Sequence, residues 1–214
     1  MMQRRFLLAA AGGVVMGTLA LLAGCASAPV VERFSDIPNG TVGVFTRKST
    51  GSFGSGEARV VWTHGEAQFQ GRRVLTTVSP TAGTAYYDPA TYGQVASISP
   101  AGVTTATYDP PMGNPWPLSV GRTWTTRHMV VTPQRTLPLE VKGTVEAYEE
   151  ITVPAGTYKT YRVVTVDSLG ERTTVWTAPQ SGIMIVRRQI ERPASHPMGA
   201  GTLEGQLIER RVPR

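Results

Sequence analysis

Residue types that most often build catalytic and metal sites are scarce in this 214-residue chain, which has one cysteine and three histidines. A lone cysteine excludes an intramolecular disulfide. His64, His128 and His196 have no second histidine or cysteine two to four positions away, so the spacing typical of a zinc site is missing. The nucleophile-elbow and phosphate-loop sequences are missing too. We therefore expect no catalytic residue, no metal and no cofactor, and predict that the chain is not an enzyme.

Helix-forming sequence is also scarce. Long runs of Ala, Leu, Glu and Lys are missing after residue 25, whereas threonine, valine, glycine and proline are frequent, with 23 glycines and 16 prolines. This composition favours strands and turns over helices. No second long apolar run follows the one at the N-terminus, so we expect the rest of the chain to lie outside the membrane.

The one long apolar stretch, residues 6–22, follows a short basic segment and ends at Leu22-Ala23-Gly24-Cys25. This arrangement resembles a bacterial lipoprotein signal, which a peptidase cuts between Gly24 and Cys25. Small residues before the cysteine let the peptidase approach the backbone, and only a thiol can form the thioether to diacylglycerol. The resemblance implies that Cys25 is the lipidation site, with an acyl chain such as palmitate on its new amine. Such lipids would anchor the protein permanently in a membrane.

An uncleaved signal anchor is the alternative, because the apolar stretch approaches the length of a membrane span. Gly12, Gly13 and Gly17 weaken that stretch as a helix and favour cleavage. Ala26 follows the cysteine in place of the aspartate that is typical of inner-membrane retention. We therefore predict a lipoprotein of the cell envelope, in the inner leaflet of the outer membrane and facing the periplasm.

Cleavage would leave 190 of the 214 residues, enough for one domain with a hydrophobic core. We predict a signal peptide over residues 1–24, the lipidated cysteine and a tether over 25–41, and a single β-rich domain over 42–214. Loss of Arg4 and Arg5 lowers the formal net charge from +6 to +4. This modest excess suits anionic lipid or polysaccharide as a neighbour and does not indicate nucleic acid.

Runs rich in β-branched residues, bounded by glycine or proline, recur after residue 41 and predict an antiparallel all-β fold. The clearest signal is a hairpin in which Leu139–Val153 and residues 157–166 flank the turn Pro154-Ala155-Gly156. Elsewhere, Tyr87-Asp88-Pro89 recurs at residues 108–110. Both copies predict turns, because aspartate caps backbone amides and proline restricts φ.

Three further segments carry a family resemblance. They are Pro117-Leu118-x-Val120-Gly121-x-x-Trp124, Glu150-x-x-Val153-Pro154-Ala155-Gly156-Thr157-Tyr158-Lys159 and Trp176-x-Ala178-Pro179-x-x-Gly182. In this order they resemble the TapB-like domain family of unknown function, found in bacterial envelope proteins, over roughly residues 110–190. The resemblance implies an antiparallel, strongly curled sheet or partial barrel. It brings no catalytic residues.

Arginines cluster toward the C-terminus, and four of them are candidate anion-binding residues for lipid phosphate or lipopolysaccharide: Arg187, Arg188, Arg210 and Arg211. Adjacent residues of a strand point to opposite faces, so at most half of these side chains can share one patch. The four tryptophans either line a ligand cavity or, as is commoner in strands, fill the core.

The sequence leaves three functions open. The expected one is a non-catalytic, membrane-anchored lipoprotein whose β domain binds an envelope lipid, a polysaccharide or a partner protein. The first alternative is a carboxylate-dependent hydrolase of cell wall or polysaccharide, with carboxylates such as Glu149 and Glu150. The second is a purely structural tether.

Overall fold

Every strand of the computed structural model, which describes residues 28–214, pairs with the strands before and after it in the chain. The first strand also pairs with the last, so the antiparallel sheet closes into a twelve-stranded barrel. The predicted antiparallel all-β fold is confirmed, and closure is complete where a curled sheet or partial barrel was predicted. The strands are β1 Val42–Gly51, β2 Gly56–Phe69, β3 Arg72–Ser79, β4 Gly83–Tyr87, β5 Gln94–Ile98, β6 Thr104–Met112, β7 Thr123–Val131, β8 Thr136–Val153, β9 Gly156–Asp167, β10 Arg172–Ala178, β11 Ile183–Arg192 and β12 Gly201–Arg211.

Closure depends on the pairing of β1 with β12 along the whole length of β1. The register runs from Val42 opposite Arg211 to Gly51 opposite Gly201, with a bulge beside Val44. Closing a sheet in this way leaves no strand with unpaired backbone groups at an edge. Between residues 28 and 214, no helix is long and apolar enough to cross a membrane.

The predicted hairpin is confirmed as β8 and β9, which pair from Val141 opposite Asp167 to Val153 opposite Gly156. Gly156 has φ of 136°, a conformation that residues with a Cβ rarely adopt, and this explains the glycine after Pro154-Ala155. The tip of the hairpin reaches β12, where the Ala155 amide donates to the Leu207 carbonyl at 3.4 Å.

The two Tyr-Asp-Pro copies differ, and the predicted turn is wrong for the second. Asp88 does cap a turn, since its Oδ1 accepts from the amides of Ala90 at 3.1 Å and Thr91 at 2.9 Å. Tyr108 and Asp109 instead lie inside β6, paired with β7. Ladder pairing with β7 outweighs the local turn preference there, and the strand continues past the prolines to Met112.

The predicted tether differs from the structure from Pro29 onward. Val31 and Leu118 exchange two backbone hydrogen bonds, of 3.0 and 2.9 Å, and the Tyr161 hydroxyl donates to the Pro29 carbonyl at 2.5 Å. Val31 and Phe34 are both buried. This segment belongs to the domain because its few apolar residues fill space against the barrel. Residues 1–27, with the predicted signal peptide, Gly24 and Cys25, lie outside the described residues.

Candidate functional site

The barrel contains both packed clusters of buried side chains and a cavity. Leu118, Val145, Tyr161 and Val163 form one buried cluster with Val31. The cavity has a volume of about 470 Å³. Cavities of this size are typical of small-molecule sites, which range from about 300 to 1,000 Å³. Its apolar lining includes Phe45, Val60, Trp62, Ile183, Leu203 and Leu207.

Strand alternation explains which side chains reach the cavity. Gly43, Phe45 and Arg47 line it from β1, every second residue of the strand. Leu203, Gly205 and Leu207 line it from β12 with the same period. The register places Phe45 opposite Leu207 and Arg47 opposite Gly205. The inward faces of the two strands that close the barrel therefore form part of the cavity wall.

The four candidate arginines separate into two pairs. Arg188 and Arg210 line the cavity. Arg187 is exposed and lies 5.2 Å from the centroid of the Trp176 ring, while Arg211 is exposed and pairs with Glu209 at 3.0 Å. This separation follows from the alternation of side chains along each strand. It brings one member of each adjacent pair into the interior.

A third arginine of the cavity, Arg47, is not among the four candidates from the sequence, because it lies far from them in the chain. The register brings it close: Arg47 is opposite Gly205 on β12, and Gly205 is opposite Arg188 on β11. The only signal in the sequence is the alternation Gly43-x-Phe45-x-Arg47, which places the three on one face. Arg47 donates one hydrogen bond, to the Phe53 carbonyl at 3.2 Å.

The arginines of the cavity lack ion-pair partners within the described part of the chain. Among the described residues, no ion pair involves Arg47, Arg188 or Arg210, and no aspartate or glutamate lines the cavity. Burial lowers the pKa of Arg188, and the like charge of Arg47 acts in the same direction, whereas Tyr87 and Glu171 act to raise it. Burial raises the pKa of the Tyr87 hydroxyl, which lies 3.3 Å from Thr77 Oγ1. The cavity thus combines apolar walls, neutral hydroxyls and guanidinium groups that form no ion pair among the described residues.

His64 lines the same cavity at the level of Thr77, which is opposite it on β3. Burial lowers the pKa of His64 to about 4, and the charge of Arg210 contributes to this shift. The imidazole is therefore neutral near pH 7, and it adds a polar but uncharged group to the wall.

The glutamates of the hydrolase alternative are engaged in ion pairs. Glu149 pairs with Arg162 at 3.3 Å and accepts a hydrogen bond from Trp176 Nε1 at 2.8 Å. Glu146 also pairs with Arg162, at 3.2 Å. Glu150 pairs with Lys159 at 3.5 Å. None of these carboxylates lines the cavity.

The three histidines lie in separate surroundings. His128 is buried, with Nδ1 2.8 Å from the Pro110 carbonyl and Nε2 2.9 Å from Thr126 Oγ1. His196 is buried in the loop before β12. Over residues 28–214, no group of three or more His, Cys, Asp or Glu side chains is placed to hold a metal ion.

Tryptophans contribute to the cavity and to packing. Trp62 lines the cavity, whereas Trp116 and Trp124 pack against the buried cluster around Leu118. Trp176 is buried on β10. Trp62 therefore agrees with the cavity-lining alternative, and the other three tryptophans agree with the core alternative.

Comparisons with known proteins identify no family. No protein-family model matches the chain, so its resemblance to the TapB-like domains stays a hypothesis. No curated protein matches it. Among solved structures, it is similar to a provisionally assigned lipoprotein from Parabacteroides distasonis, with 12% sequence identity and a TM-score of 0.42. That match covers 85% of this chain and 99% of the other. A similarity this low carries no functional conclusion.

Proposed function

We propose that the chain is a membrane-anchored envelope lipoprotein whose barrel binds an apolar envelope molecule without changing it chemically. Its lipids on Cys25 anchor it in the outer membrane, and the barrel faces the periplasm. The TapB-like resemblance is compatible with this role, since those domains occur in envelope proteins.

One observation carries the binding part of the proposal. Twelve strands enclose a wider interior than the eight that side chains can just fill, and this interior contains a cavity of about 470 Å³ with aromatic and aliphatic walls. The apolar part of this wall would be buried by an apolar ligand, and burial of apolar surface is favourable. A barrel next to a membrane would meet such ligands.

A fluorescent apolar probe tests the proposal. Residues 26–214 include the whole barrel and the packed N-terminal segment, so this chain is used with N-phenylnaphthylamine as the probe. We expect saturable binding that Ala85→Trp weakens at least about tenfold, because Ala85 lines the cavity and an indole would occupy it. Val78→Trp is the matched control, since Val78 lies on β3 and is 44% exposed.

The control should bind the probe as the wild type does. Equal affinity in wild type, Ala85→Trp and Val78→Trp would place the probe outside the cavity and contradict the proposal.

A further inference from the structure

We propose that the cavity ligand carries one negatively charged headgroup on an apolar chain, and that this headgroup binds between Arg47 and Arg188. The inference rests on the binding function proposed above and specifies its ligand. The chemical class is an acyl or alkyl chain that ends in a carboxylate or a phosphate monoester.

The proposed headgroup site consists of three residues in one row across three adjacent strands. Arg47 on β1 faces Gly205 on β12, and Gly205 faces Arg188 on β11. Neighbouring strands lie about 4.8 Å apart, so the two arginine backbones are separated by roughly 10 Å. Because Gly205 has no side chain, the space between the two arginine stems is open. Arginine side chains are long enough for two of them on backbones at this separation to donate to one anion.

Charge balance favours an anion in this headgroup site. The Arg188 side chain donates no hydrogen bond to any described residue, and the Arg47 side chain uses one of its donors, on the Phe53 carbonyl. Glu171 also acts electrostatically on Arg188, but it pairs with Arg192 at 2.6 Å. Two guanidinium groups that face a shared cavity repel each other and lose hydration. A bound anion would offset both costs.

The cavity continues from this headgroup site along apolar walls. Its lining extends from Arg47 on β1 back to Thr41, the residue before the strand, which is about 20 Å of extended chain. Phe45, Leu207 and Trp62 lie along this path. At its far end, Arg210 donates to the Gly182 carbonyl at 3.4 Å. An elongated apolar chain therefore fits the cavity better than a compact anion does.

Competition against the bound probe tests the inference with ligands that differ only in their headgroup. Laurate, dodecyl phosphate and dodecanol are each titrated against N-phenylnaphthylamine bound to residues 26–214, and inorganic phosphate is added as the headgroup alone. We expect laurate or dodecyl phosphate to bind at least about tenfold more tightly than dodecanol, because charge-assisted hydrogen bonds form only with the anion. Whichever anion binds more tightly identifies the headgroup as carboxylate or phosphate.

Variants then locate the headgroup. Arg188→Met and Arg47→Met should each weaken binding of the anionic ligand about tenfold or more, measured relative to the probe affinity of the same variant. Arg188→Lys, which keeps the charge, should retain most of the affinity. Arg187→Met is the matched control, because Arg187 is the next residue along β11 and lies outside the cavity. It should change nothing.

Four outcomes would overturn the inference. Equal affinities of dodecanol and both anionic ligands would show, before any variant is tested, that a charged headgroup does not contribute to binding. Equal losses in Arg187→Met and Arg188→Met make the effect structural, and a loss confined to Arg210→Met places the headgroup at the far end. Displacement of the probe by inorganic phosphate alone would show that the ligand needs no apolar chain. Each of these leaves the proposed apolar binding intact, whereas a probe that fails to bind contradicts the proposed function itself.

Discussion

At the scale of single residues, the same residue type has opposite surroundings at adjacent positions. Arg187 lies on the outer surface over the Trp176 ring, and Arg188 faces the cavity. His64 is another residue whose surroundings decide its properties, because its side chain lines the same cavity as the arginines. Burial and Arg210 both disfavour the imidazolium form there. Such a residue makes stability depend on pH.

His64 predicts a loss of stability between pH 6.5 and 4. Its pKa is about 4 in the folded protein and 6.5 when unperturbed, so the unfolded state binds the proton first as the pH falls. The stability present above pH 6.5 is lost as the pH falls toward 4, by roughly 2–3 kcal/mol. Urea unfolding of the wild type and His64→Gln at pH 7 and pH 4.5 measures this. The variant should lose less stability than the wild type, and equal losses would contradict the expected shift.

At the scale of elements, β7 and β8 are joined by an aromatic side chain that covers a glycine. Trp124 lies opposite Gly143, and a Cβ on Gly143 would overlap the indole ring. The ring also packs against the buried cluster that contains Val145 and Tyr161. Gly143 therefore lets this large side chain lie flat against the neighbouring strand.

Gly143→Ala should destabilise the barrel by about 1–3 kcal/mol, because the indole must leave its position in a packed interior. The cost should be smaller in a Trp124→Leu background, where no ring lies over the glycine. A double-mutant cycle from urea unfolding gives the coupling between the two positions. If the changes in unfolding free energy of the two substitutions were additive, the contact between Gly143 and Trp124 would not be the cause of the destabilisation.

At the scale of the whole molecule, the N-terminal segment brings the barrel close to its proposed anchor. The Pro29 carbonyl already accepts a hydrogen bond from Tyr161, and Pro29 is only four positions after Cys25 in the chain. Four residues span at most about 14 Å. A lipid on Cys25 would therefore hold the barrel close to the bilayer surface, nearer than a tether extending to residue 41 would allow.

The anchor itself predicts a covalent modification. The chain isolated from membranes of a bacterial host should begin at Cys25 and carry diacylglycerol and an acyl chain, which mass spectrometry of the N-terminal peptide measures. Cys25→Ser should accumulate as an unprocessed precursor without lipid, because only a thiol forms the thioether. An intact Met1 on the wild-type chain would contradict both the cleavage and the anchor.

Local patterns in the sequence were sufficient for the class of fold and for many of its parts. β-branched runs between glycines and prolines predicted the strands, and Pro154-Ala155-Gly156 predicted the β8–β9 turn, because these signals act between near neighbours. Alternation along a strand also predicted that adjacent arginines would separate. The second Tyr-Asp-Pro copy shows the limit of such signals, since pairing with β7 overrides the turn preference at Asp109.

Only the tertiary structure decided what lies inside the barrel. Arg47 and Arg188 are far apart in the sequence, and they become neighbours because β1 pairs with β12 across the closure of the sheet. Val31 and Phe34 look like parts of a tether until the barrel offers them apolar surface to cover. Register, closure and the cavity depend on contacts between distant segments, and a pattern read along the chain does not contain those contacts.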